Sequence, residues 1–150
     1  MKPLIVLFGA FLVSFFIIKL LNQKYDFPLS ARIGMCAMLF LTGIAHFTFT
    51  KGMAMMIPPI FPLKTEIVYL TGVLEIFLGL GLLIPSVRVY AGWLLIVFFI
   101  LLLPANIYAA IKHIDYQKGT YDGKGISYLW FRIPLQLFFI AWTYFSSVKR

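Results

Sequence analysis

Residues 87–111 read VRVYAGWLLIVFFILLLPANIYAAI, and the only charge in the stretch is Arg88, at its start. A buried core helix needs about 10–14 apolar residues, whereas crossing the hydrocarbon layer takes about 17–25. This run is of the second kind. No water is available there to satisfy free backbone N–H and C=O groups, so such a run forms a helix rather than an open strand.

Four further runs have the same character. They cover about Leu4 to Leu21, Ile33 to Phe49, Ile67 to Ile84 and Ile126 to Phe145. The first has the charged start and apolar stretch of a signal peptide but lacks a small-residue cleavage site, and is read as a retained anchor helix. The joints agree with this division. The stretch 26–30, DFPLS, separates the first two spans and offers Ser30 as an N-cap. Pro85-Ser86-Val87-Arg88 is a tight turn that makes the third and fourth spans antiparallel neighbours. Residues 51–62, KGMAMMIPPIFP, are apolar but broken by prolines, and lie at the interface or fold over the bundle. Residues 113–125 are polar and expected to be solvated.

Bulk composition supports a membrane protein. Of 150 residues, 62% are apolar and only 12% charged, too little polar surface for a soluble domain of this length. The net charge of +8 is spread singly over the ends of apolar runs. That suits anchoring to a lipid bilayer and argues against nucleic acid, which needs a basic patch or stripe. Cys36 is the only cysteine, so an intramolecular disulfide, a CxxC redox pair and a thiolate zinc site are all excluded. No carboxylate–histidine group has metal-ligand spacing, so no metal is expected. Lys and Arg divide six against six between the two sides of a five-span arrangement, and the positive-inside rule does not orient the chain.

Ionisable and amide residues within spans are costly and mark bundle interiors or cavities. Here they are His46, Glu75, Asn106, Arg132 and Gln136. Successive helices alternate in direction, so depths can be compared at about 1.5 Å per residue. His46, Glu75, Asn106 and Arg132 fall in the half nearest the two longer connections, with Gln136 one turn deeper than Arg132. Two readings stand: Glu75 and Arg132 neutralise each other and fix helix register, or the set lines a pocket for a small molecule. A proton or ion path is a third. Gly72 and Gly79 leave the Glu75 face small and permit close helix approach. Pro104 and Pro134 each free a carbonyl one turn earlier, for a neighbouring polar group to satisfy. Met53, Met55 and Met56 could form an adaptable lid.

The ordered series Gly43-Ile-Ala-His46-Phe47, Met55-Met-Ile-Pro58, Thr71-Gly72-Val-Leu-Glu75, Gly81-Leu-Leu-Ile-Pro85, Pro104-Ala-Asn106 and Arg132-Ile-Pro-Leu-Gln136 resembles the DoxX-like family of small, mainly bacterial membrane proteins, over about residues 32–146. The resemblance implies an all-α membrane protein. It has a four-helix transmembrane bundle core in residues 28–150, and residues 1–27 form an additional N-terminal transmembrane helix and loop. It also implies the bacterial cytoplasmic (inner) membrane, with the C-terminus inside and the N-terminus and polar pocket outside. Some relatives are named as membrane subunits of oxidoreductases, including thiosulfate–quinone systems, while a distantly similar animal group acts in receptor assembly. Quinone is thus the cofactor, and an oxidoreductase the partner, that the resemblance brings in. The chain itself shows no self-contained catalytic constellation.

Overall fold

The structure is a computed structural model that describes residues 2–149. Among these the fold is all-helical, with one isolated antiparallel bridge between Asp115 and Thr120. The helices are α1 (Lys2–Asn22), α2 (Phe27–Thr48), the short α3 (Thr50–Met55), α4 (Lys64–Gly81), α5 (Arg88–Ile111) and α6 (Leu129–Thr143). A 3-10 turn, Gly125–Tyr128, leads into α6, and a π-turn, Tyr144–Val148, follows it.

Three of these, α1, α2 and α5, are long and apolar enough to cross a membrane. The 18-residue α4 carries Lys64, Glu66 and Glu75, and α6 holds 15 residues before its geometry changes at Tyr144. The exterior is apolar along the same helices: Leu12, Phe16, Phe77, Trp93, Leu94 and Leu101 are all exposed. Such a surface is costly in water and suited to lipid.

The second helix begins earlier than the apolar run suggests. Asp26, not Ser30, is its N-cap; the carboxylate accepts from the Leu29 N–H at 3.0 Å. Pro28 has no N–H to leave unsatisfied in this first turn, so it extends the helix instead of breaking it. Ser30 lies within that turn and donates its hydroxyl to the Asp26 carbonyl.

The order of packing follows the chain. α1 lies along α2, α2 on α4, α4 on α5 and α5 on α6, and the π-turn comes back to α2. Leu39, Leu78, Leu82, Leu95, Phe99 and Phe139 form the common core. Glycines set the closest approach. A Cβ on Gly43 would stand 3.0 Å from the Gly72 carbonyl oxygen, and one on Gly72 3.1 Å from the Gly43 carbonyl oxygen. The two backbones therefore touch where α2 meets α4.

At the end of the molecule where α6 finishes, Arg32 is buried and donates Nη1 to the Ser146 carbonyl at 3.1 Å. A cation beside the last carbonyls of a helix is favoured by the helix dipole. Trp142 Nε1 donates to the Ala31 carbonyl at 3.0 Å, and Ser14, Thr143, Ser146 and Ser147 are buried nearby. At the opposite end, α5 closes with the Ile114 N–H on the Ala109 carbonyl and the His113 N–H on the Ala110 carbonyl, and His113 takes φ 54. This is the paired-bond cap usually given to glycine. The loop that follows is not simply solvated. Its Tyr116 backbone lies directly on Gly52, and the Tyr116 ring meets Phe49 edge-on, so the loop covers α3.

Candidate functional site

The glycine contact between α2 and α4 determines which side chains meet. His46 lies one turn after Gly43, and a Cβ on Gly72 would stand 2.7 Å from the His46 Cβ. With the helices this close, the imidazole sits over the Thr71–Glu75 face of α4. His46 Nδ1 lies 3.0 Å from the Val68 carbonyl oxygen and 3.1 Å from Thr71 Oγ1. His46 Nε2 lies 3.6 Å from Glu75 Oε1. Glu75 is 4% exposed, and its second oxygen, Oε2, is buried with no hydrogen-bond partner. A buried acceptor left in this state costs about 1–3 kcal/mol.

The amides form a separate group. Asn106 Nδ2 donates to Gln136 Oε1 at 3.1 Å, and Gln136 Nε2 donates to the Phe99 carbonyl. Phe99 lies just over one turn before Pro104, where the missing proline N–H interrupts the α5 ladder. The relay thus runs from α5 to α6 and back to α5 at the residue before Ile100, whose carbonyl is the one that Pro104 leaves without a helix donor.

Arg132 occupies the same face of α6 as Gln136, one turn nearer the helix start. It is half-buried, its Nε is buried without a partner, and no ion pair joins it to Glu75 among the described residues. The carboxylate's ionic neighbour is His46 instead. Of the five sequence-derived residues, the structure joins His46 to Glu75 and Asn106 to Gln136. Arg132 is in neither pair.

Thr71 was not singled out in the sequence. Its hydroxyl accompanies His46 and also reaches the Ile67 and Val68 carbonyls, each at 2.9 Å. The signal available was position: Thr71 is one turn before Glu75 and shares its helix face. Two surface grooves lie apart from these groups. One is apolar, between α1 and α6, and is lined by Leu4, Phe8, Phe131, Pro134 and Phe138. The other is polar, where α1 turns into α2, beside Lys24, Tyr25 and Asp26.

Residues 35–147, from the third turn of α2 onward to the π-turn, match a family model described as a domain of unknown function (DUF8561). The chain belongs to the DUF8561 family. The DUF8561 match contains both buried pairs and Arg132, and α1 lies outside it. No curated protein and no solved structure matches the chain.

Proposed function

We propose that this DUF8561 protein is a DoxX-like membrane protein that holds a lipophilic small molecule, quinone-like or lipid-like, in its polar interior and serves a membrane oxidoreductase. In this reading α2, α4, α5 and α6 form the four-helix core, and α1 is an added span packed on α2. The protein resides in the bacterial cytoplasmic membrane with its C-terminus inside. The observation that carries the ligand reading is Glu75: a carboxylate deep among apolar helices, with one oxygen unpaired. Ionisable groups kept at such a cost inside a bundle are functional far more often than ornamental. Redox chemistry would come from the partner, since the side chains here supply binding and orientation only.

Gentle purification followed by mass spectrometry of the extracted lipophilic molecules tests this. A defined quinone or lipid should accompany the wild-type protein and be lost from a folded variant in which Leu replaces both His46 and Glu75. Equal recovery from both proteins, or recovery of bulk lipid alone, would remove the ligand reading.

A second reading, a non-enzymatic assembly factor for other membrane proteins, draws on the apolar surface groove between α1 and α6. Affinity capture from solubilised membranes should then return one stoichiometric membrane partner, and Phe138→Ala should weaken its recovery. No comparable observation favours a transporter.

A further inference from the structure

The hydrogen positions around His46 follow from its neighbours. A carbonyl oxygen only accepts, so the Val68 contact requires a hydrogen on Nδ1. Thr71 Oγ1 can accept from the same N–H while donating its own hydrogen to Ile67 or Val68. A neutral His46 therefore has its lone pair on Nε2, the atom that faces Glu75 Oε1. Two lone pairs opposed 3.6 Å apart in a buried site repel, which favours a proton between them. The pair is either imidazolium with carboxylate or imidazole with carboxylic acid. In both forms the proton is engaged on the Oε1 side, and Oε2 is left purely as an acceptor.

The remaining capacity of the site is correspondingly specific. Asn106 and Gln136 are committed to each other and to Phe99. Arg132, another ionisable side chain near this half, offers a buried N–H donor, not an acceptor. A ligand that meets Glu75 must bring a hydrogen to Oε2.

Building on the ligand reading above, we propose that the site takes its ligand by a hydroxyl group that donates to Glu75 Oε2. It therefore binds the hydroquinone form of a lipophilic quinone and discriminates against the quinone itself. A quinone carbonyl or an ether oxygen in the same place would set lone pair against lone pair and leave the acceptor unsatisfied.

The test uses the full chain in phosphatidylcholine nanodiscs, titrated anaerobically with decylubiquinol, decylubiquinone and the dimethyl ether of the hydroquinone. Decylubiquinol should bind at least about tenfold more tightly than the other two, the value of one hydrogen bond to a charged acceptor. Glu75→Gln should keep the preference, because its amide nitrogen can face His46 Nε2 and its oxygen can take the place of Oε2. The double variant H46L/E75L, which leaves no orphaned charge, should lose it. Equal affinity for the three probes, or a preference that persists in H46L/E75L, would overturn the hydroxyl assignment while leaving a ligand site intact. If none of the probes binds but a defined molecule still co-purifies, the hydroxyl assignment falls and the ligand reading stands. Absence of both removes the two together.

Discussion

Asn106 hands its side-chain amide to Gln136 across 3.1 Å, and Gln136 in turn supplies the Phe99 carbonyl on the helix that Asn106 came from. The two residues join α5 to α6 where Pro104 weakens α5. Gln136→Leu removes both bonds and strands two buried partners. It should lower stability in detergent by about 2 kcal/mol. Adding Asn106→Leu should cost less than the sum of the single changes, because one bond is then counted twice. Chemical denaturation of the four proteins in this cycle measures the coupling.

The His46–Glu75 pair should behave asymmetrically. His46→Ala leaves a buried carboxyl with neither counter-charge nor hydrogen-bond partner, at a cost of about 3 kcal/mol. H46L/E75L removes the whole pair and should come back close to wild-type stability. Thermal unfolding of the two variants side by side separates this from simple loss of packing, which would leave the double variant worse than the single.

The glycine contacts predict steric failures in two places. Gly72→Ala drives a methyl group against His46 and the Gly43 carbonyl, forcing α2 from α4 at a cost of about 1–3 kcal/mol. Gly52→Ala would overlap the Tyr116 backbone and lift the 113–124 loop from α3. Trypsin should then cut at Lys118 and Lys124 faster than in the wild type, with the helices still intact by circular dichroism.

In that loop the Thr120 hydroxyl donates to the Asp122 carboxylate, and with Lys118 Nζ at 3.9 Å this holds its pKa below the ordinary aspartate range. A depressed folded pKa means the contact is fully present above the unfolded value and lost as pH falls through the folded one. Asp122 should therefore titrate at lower pH than a free aspartate in a carboxyl-resolved NMR titration, and Thr120→Val should move it upward. Because the group lies in the open, global stability should hardly change.

Rise along a helix can be counted from a sequence, and azimuth cannot. Counting residues from the ends of apolar runs sets His46, Glu75, Asn106 and Arg132 at comparable heights, because rise per residue is constant. Which of them meet depends on the rotation of each helix about its axis. That rotation is set by contacts such as Gly43 on Gly72, which turn His46 rather than Arg132 toward Glu75. The polar residues at the other end were missed for a related reason. Ser14, Ser146 and Ser147 are small enough to pass as incidental within apolar runs, and Arg32 stands at a run's edge where a solvated anchor is the ordinary reading. Ser30 looked like a cap because the apolar pattern starts late. Pro28 and Asp26 begin the helix one turn earlier by backbone chemistry that hydropathy does not register.

The contacts of Arg32 with Ser146 and of Trp142 with Ala31 link positions 114 and 111 residues apart. During synthesis the start of α2 is in place long before its fastener has been made. The Ser146 carbonyl is added to the surroundings of Arg32 only when the π-turn emerges. Closure of the bundle is thus a late event that depends on the π-turn. Ribosome-stalled chains ending before Ser146 should remain open to proteases that no longer reach the finished protein.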